Sequence, residues 1–321
     1  MEKTSCLVVF EKSMEHRYAQ MATIHGFSLH KVGLDNTWQN SLFENLKLRI
    51  RSKGLLKEKA NVLFKNLRKN NFKNIYLSSA EGYICKNLVH SIREEFPSLK
   101  LIALQHGVFP LKQEFYKEFI RKTINVVAYG LTGVFPLGAG FGGLNLDGYY
   151  VYSNREKEFL VSKKGWDPSN VLVDIKFIKP EVYNEYITLK QNYKKDGPTA
   201  VFLLQGLHLA GLCSLENETR LIEQTILYLS ERYKNVIIKE HPACKGRLDS
   251  LVLPKNVSEE SSLFEAFSKA NDAYSFFSTA LIDAKIFNLK TIGISSKHIK
   301  VDEEIYDNFD INIDFEKTIA T

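Results

Sequence analysis

Residues 199–242 read TAVFLLQGLHLAGLCSLENETRLIEQTILYLSERYKNVIIKEHP, and their periodicity decides the fold. An apolar run at 199–204 is followed by Leu221, Ile222, Ile226 and Leu229 at helical spacing, and then by a second apolar run at 235–239. Continuous apolar runs suit strands covered on both faces, and a helix between two of them makes the strands parallel neighbours. Further runs of this kind stand at 6–10, 74–78, 99–104, 148–153, 170–173, 272–276 and 290–294, with another helix expected over 262–270. Such alternation predicts an α/β chain with two Rossmann-like domains. The polar stretch 179–198 carries Pro180 and ends in Asp196-Gly197-Pro198, a turn signal, and reads as a linker. The expected domains are 1–178 and 199–321, the residues beyond 300 forming a tail that returns toward the first domain. Two such domains suggest a cleft enzyme, with its chemistry beyond the carboxyl ends of the strands.

Five strand ends carry candidate residues. The run at 74–78 leads into Ser79-Ala80-Glu81-Gly82. Glu81 is either a carboxylate presented as a general base or a first-turn acid that favours the helix dipole. The run at 99–104 ends in Gln105-His106-Gly107, where glycine permits close backbone approach beside the imidazole. The run at 235–239 ends in Glu240-His241-Pro242, and proline holds the preceding histidine extended at the strand tip, where it can donate to a phosphate oxygen. The run at 272–276 contains Ser275 and leads into Ser278-Thr279, hydroxyls at an expected helix start that would suit an anion. Gln205-Gly206 ends the opening strand of the quoted segment.

Other signals exclude function classes. Residues 138–143, GAGFGG, match G-x-G-x-x-G formally, but a strand-like run follows where the motif needs a helix, so 130–147 is expected to be a flexible glycine-rich loop that closes over an acceptor. Phosphate-loop, nucleophile-elbow and zinc-protease motifs are absent, as is any Asp-x-Asp pair to hold a bridging metal. The four cysteines, Cys6, Cys85, Cys213 and Cys244, are widely separated and read as free, mostly buried thiols. The first apolar run is five residues long, too short for a secretory signal or a membrane span, so a cytoplasmic location is expected.

The Lys239-Glu240-His241-Pro242 and Ser275-Phe276-Phe277-Ser278-Thr279 motifs resemble those of metal-independent GT-B glycosyltransferases of bacterial surface polysaccharides. The likeness is to the sialyltransferases, polysialyltransferases and capsule Kdo transferases. It implies a CMP-activated sugar as donor substrate, no cofactor or metal, and inverting transfer to a glycan or glycolipid in capsule or lipopolysaccharide synthesis. It also implies donor binding by Gln205, Gly206, Glu240, His241, Pro242, Ser275, Ser278 and Thr279. Glu81 or His106 would be the base, His241 would assist the leaving phosphate, and Gln105 and Gly107 would lie by the acceptor. Glu81 follows alanine where two consecutive acids are commoner in that group. CDP-glycerol-type glycerophosphotransferases are the alternative, since His106-Gly107 with Pro110 and Lys112 fits one of their motifs, though Phe276 replaces an acid of another.

The net charge of +6 is local. Residues 44–74 hold ten Lys and Arg against Glu44 and Glu58, a balance of +8 that leaves −2 for the other 290 residues. Leu56, Ala60, Leu63, Phe64 and Leu67 form an apolar stripe there, so the cations occupy the outer face of a helix. That face is either merely solvated or, through Lys57, Lys65, Arg68 and Lys69, meets an anionic inner-membrane surface or acidic polymer. A nucleic-acid-binding protein is a distant alternative, with no accompanying motif.

Overall fold

In the computed structural model the described residues are 4–34, 42–107, 115–190, 197–241, 246, 248–249, 251–301 and 303–320. The chain divides into two compact units, the first ending at Glu181 and the second beginning at Val182, with Gly107 grouped with the second.

The first unit contains β1 (Ser5–Val9), α1 (Glu15–His25), β2 (Ser28–Lys31), α2 (Leu42–Arg51), α3 (Lys53–Lys69), β3 (Asn74–Leu77), α4 (Tyr83–Glu95), β4 (Lys100–Leu104), α5 (Phe115–Thr132), β5 (Gly148–Val151), α6 (Asn154–Lys164), β6 (Val171–Val173) and α7 (Ile175–Ile178). Its six strands are parallel in the order β2-β1-β3-β4-β5-β6. Cys6 pairs with Ser28 on one side and Ile75 on the other, which leaves Cys6, Leu7, Val8 and Val9 fully buried. Parallel strands need crossover helices, and these cover both sheet faces. Gly26 ends α1 at φ 68°, a left-handed cap that favours glycine.

The second unit continues with α8 (Pro180–Lys190), β7 (Thr199–Leu203), α9 (Leu215–Arg232), β8 (Asn235–Lys239), β9 (Val257–Glu259), α10 (Leu263–Lys269), β10 (Asp272–Ser275), α11 (Ala280–Ile286), β11 (Lys290–Ser295) and β12 (Ile311–Asp314). The order β12-β11-β10-β7-β8-β9, again all parallel, is the doubly wound Rossmann order. Ser214 caps α9 by accepting the Asn217 N–H at 3.2 Å, with Glu216 in the first turn and Arg232 in the last, as the helix dipole favours.

The structure adds β2, β9 and β12 to the expected strands and differs from the sequence reading in two further places. The polar stretch at 179–198 is helical over Pro180–Lys190, where Val182, Tyr186 and Leu189 pack on the core of the second unit. The tail supplies β12, which pairs with β11, so it completes the second sheet. A Cβ at Gly293 on β11 would lie 2.6 Å from the Phe309 ring and 2.9 Å from the Tyr306 ring, both held in that core. Gly293→Ala should therefore destabilise the protein by about 1–3 kcal/mol, the usual cost of overpacking, read as a lowered urea midpoint.

Candidate functional site

In the first unit the strand order reverses between β1 and β3, so their connections leave in opposite directions and open a crevice at the carboxyl edge. Ser78, just after β3, ties this edge together: its hydroxyl accepts the Phe10 N–H at 3.2 Å and its carbonyl accepts the Tyr18 hydroxyl at 2.8 Å. Glu81 lies three residues further on. Gly82 is the extended N-cap of α4, so Glu81 stands outside the first turn and its side chain folds back over the strand ends.

Glu81 and His106 meet there. The Glu81 carboxylate accepts the Ala80 N–H at 3.0 Å on Oε2, and its Oε1 accepts the Tyr149 hydroxyl. His106 Nδ1 lies 3.3 Å from Glu81 Oε2. Burial pushes the Glu81 carboxyl up, but the hydrogen bond and charge of His106, the Tyr149 hydroxyl and the Ala80 N–H outweigh it and hold the group below its ordinary value. Burial alone would lower His106, yet the Glu81 hydrogen bond and charge, with help from Glu11, raise it against the opposing charge of Arg17. Each member of the pair thus favours the charged form of the other.

The Nδ1 side of the ring faces the Glu81 carboxylate, and Nε2 is its other nitrogen. Tyr149 is almost fully buried, and its hydroxyl is held neutral, chiefly by burial and then by the neighbouring Glu81 charge. This tyrosine was not singled out from the sequence. The available signal was an inward position on β5, since a buried tyrosine needs a partner for its hydroxyl.

The glycine-rich segment is packed against this pair. A Cβ at Gly138 would lie 2.0 Å from the Glu81 carbonyl oxygen, and the Gly140 N–H donates to that oxygen at 3.3 Å. Phe141 is buried beside Tyr149, and the Trp166 indole donates to the Gly142 carbonyl at 2.9 Å. The expected flexible loop is therefore a fitted wall, and α5 already occupies 130–132. Gln105 is fully buried: its Oε1 accepts the Tyr152 N–H at 2.9 Å and its Nε2 donates to Glu156 at 3.3 Å, so it braces β4 to the end of β5. Gly107 is the last described residue before 108–114; Pro110 and Lys112 fall outside the described residues.

In the second unit the order reverses between β7 and β10. Gln205, after β7, spans this reversal: its Oε1 accepts the Ser275 hydroxyl at 3.1 Å and the Phe277 N–H at 3.0 Å. Ser275 is fully buried, also within 3.0 Å of the Leu203 carbonyl, so it supports the crevice from below. Gly206 accepts the Ala210 N–H and opens a turn. The Ser278 hydroxyl accepts the Ala280 N–H at 3.2 Å, whereas Thr279, the N-cap of α11, makes no side-chain cap bond. Glu240 accepts the Gly246 and Leu248 N–H groups at 3.2 and 3.3 Å. His241 is exposed at the tip of β8, and Pro242 lies outside the described residues.

The basic face is only partly solvated. Leu56, Ala60, Leu63 and Leu67 bury the inner stripe of α3, and Lys57, Lys65 and Lys69 are exposed. Arg68 pairs with Glu95 at 2.5 Å. Lys57 lines a groove of about 320 Å³ with Glu94 and Glu95, so part of the charge is balanced locally. Cys6 and Cys85 are free and buried, Cys213 is half-buried, and Cys244 is outside the described residues. Among the described residues no helix is long and apolar enough to cross a membrane.

Residues 170–296 match the family model of alpha-2,8-polysialyltransferase, a span that holds β7, β8, β10 and their strand-end residues. No curated protein sequence matches the chain. Among solved structures, the chain is similar to a UDP-GlcNAc 2-epimerase from Methanocaldococcus jannaschii, at 13% identity and TM-score 0.52 over 97% of this chain and 88% of that one. The glycosyltransferase SnogD from Streptomyces nogalater gives 11% identity and TM-score 0.52 over 98% and 87%. Spinosyn rhamnosyltransferase SpnG complexed with thymidine diphosphate gives 9% and 0.51 over 92% and 80%. These likenesses establish the fold, two Rossmann-like domains of the GT-B kind, which epimerases and glycosyltransferases share.

The Glu81–His106 pair has a pH signature. Glu81, lowered on folding, adds stability above its unfolded value of about 4.5 that is lost as pH falls through its folded value. His106, raised on folding, adds stability that is complete below about 6.5 and is lost as pH rises through its folded value. The unfolding free-energy difference between wild type and His106→Ala should therefore peak between about pH 4.5 and 6.5 and shrink on both sides, measured by urea titration.

Proposed function

We propose that the protein is a metal-independent, inverting glycosyltransferase that moves an acidic ulosonic sugar of the sialic-acid kind from a CMP donor to a glycan hydroxyl. The product would belong to a capsule or lipopolysaccharide built at the inner face of the plasma membrane. The observation that carries this reading is the match of 170–296 to the polysialyltransferase model, because that span includes Gln205, Glu240, His241, Ser275, Ser278 and Thr279.

The first unit supplies the base. His106 takes the acceptor proton at Nε2, and Glu81 holds Nδ1 protonated and stabilises the imidazolium that forms. Glu81 is the poorer base, since both its oxygens already accept protein hydrogen bonds and a neighbouring cation favours its ionised form. It positions His106, and Tyr149 in turn positions Glu81. The second unit holds the donor: His241 and the Thr279 hydroxyl bind the phosphate that departs with the cytidine, where charge develops in the transition state. Ser275 and Glu240 act through the segments they brace, and Gln205 holds the crevice open beside Gly206. The basic face with Lys57, Lys65 and Lys69 meets an anionic membrane surface that carries the acceptor.

His106→Ala should lower kcat for CMP release by about 10²–10⁴-fold, the usual worth of a general base. His106 must be neutral to act, so kcat/KM in the wild type should rise with pH through a value above 6.5. Glu81→Gln removes the two largest influences that raise His106 and leaves Glu11 against burial and Arg17, which lower it, so the rise should move to lower pH; an unmoved limb would assign it to another residue. Thermal shift against CMP, CDP, UDP and GDP tests the donor, with CMP expected to stabilise; stabilisation by UDP alone would overturn the cytidine reading. CMP release unchanged in His241→Ala would remove His241 from the site.

A further inference from the structure

The helix α5 is built inside out. Its inward contacts are polar or aromatic: Asn125 donates to the Leu137 carbonyl at 3.1 Å and accepts the Leu137 N–H at 2.9 Å. Tyr129 stacks on Phe135 at 4.2 Å and bonds His90 at 2.6 Å, and Arg121 reaches the Ala139 carbonyl at 3.5 Å. Its outward face carries the large apolar side chains, with Phe119 and Val126 each 69% exposed, Leu131 81% and Val127 56%. At about 100° per residue these positions, with Tyr116 and Ile120, fall on one stripe about 140° wide. Core packing does not require them, because the helix is tied to its unit through the opposite face.

The rim of the stripe is cationic. Lys122 is exposed along one edge, and the Lys53 ammonium lies 3.1 Å from where a Gly133 Cβ would stand, at the end of the helix. On α5 itself Glu118 is neutralised by Lys164 at 2.9 Å and Lys122 at 3.8 Å, and Glu94 and Glu95 line the groove that Lys53 and Lys57 share with Gly133. The basic segment 44–74 continues from there, and Arg49 within it donates to the Pro136 carbonyl just past α5 at 3.1 Å.

We propose that α5 is an in-plane membrane-docking helix that seats Phe119, Val126, Val127 and Leu131 at the acyl boundary of an anionic bilayer while Lys53, Lys57 and Lys122 meet the headgroups. An amphipathic helix with an apolar stripe and basic flanks binds such an interface through both terms at once. A second copy of the chain fits this face less well, since a twofold contact would set the two cationic rims against each other. The inference deepens the membrane part of the proposed function and rests on it, adding an apolar anchor to the electrostatic contact of the basic face.

Flotation of the full chain with vesicles tests this. Binding to 70:30 phosphatidylcholine:phosphatidylglycerol vesicles should exceed binding to pure phosphatidylcholine, and the triple variant Phe119→Ser, Val126→Ser, Leu131→Ser should weaken it at least about tenfold. Lys53→Glu with Lys57→Glu should abolish the preference for the anionic lipid, and the thermal midpoint of every variant should match the wild type. Tryptophan fluorescence of Val127→Trp should shift to the blue on anionic vesicles. Undiminished binding by a folded triple variant would overturn the α5 assignment. A wild-type dimer that the triple variant dissociates, without vesicle binding, would overturn it in favour of a second copy. Absence of transferase activity with every CMP donor would refute the proposed reaction and leave these vesicle results standing.

Discussion

A crossover between parallel strands is right-handed, and this handedness shapes both units. A chain that winds outward from one central strand and then restarts on that strand's other side must leave neighbouring strand ends uncovered by a common loop. In the first unit this happens between β1 and β3, in the second between β7 and β10. Each gap is closed near its base by one polar side chain: Ser78 accepts from Phe10 across the first, and Gln205 accepts from Ser275 and Phe277 across the second. The hydrogen bonds leave the residues immediately beyond, Glu81 in one unit and Ser278 and Thr279 in the other, at the carboxyl edge where a ligand can approach.

Within the first unit the cost of burying a carboxylate organises the surroundings. Glu81 remains ionised only because the Ala80 N–H, Tyr149 and His106 replace water at its two oxygens. The segment at 138–140 has to pass against the Glu81 main chain to complete this enclosure, and at Gly138 there is no room for a Cβ. A carboxylate so confined has little freedom left to serve a substrate, but it fixes the orientation of the imidazole beside it. The same enclosure separates two tasks, since α5 attaches to the unit through Asn125, Tyr129 and Arg121 and keeps its apolar face outward.

The strands at 5–9, 74–77, 199–203 and 235–239 were legible as apolar runs because interior parallel strands are covered on both faces. The strands not anticipated, β2 (SLHK), β9 (VSE) and β12 (INID), are short, polar and at sheet edges, where one side has no partner strand and an apolar run is not required. The helix at 180–190 was hidden by its overall polarity, because only Val182, Tyr186 and Leu189 pack inward. Residues 138–143 looked like a mobile loop since glycine content alone does not distinguish freedom from close packing.

From its order of residues alone this chain is an α/β protein of two Rossmann-like halves, with Glu81, His106, Gln205, His241 and Ser278 at strand ends, because hydrophobic period and strand termini are local properties. Tertiary structure alone brought Glu81, His106 and Tyr149 together, since they lie beyond β3, beyond β4 and on β5, and their contacts span up to 68 positions. It also assigned Gln105 and Ser275 to bracing, because both are fully buried with their polar atoms engaged. The outward face of α5 was decided in the same way: an amphipathic pattern reports that two faces differ, and only packing shows which of them the protein covers.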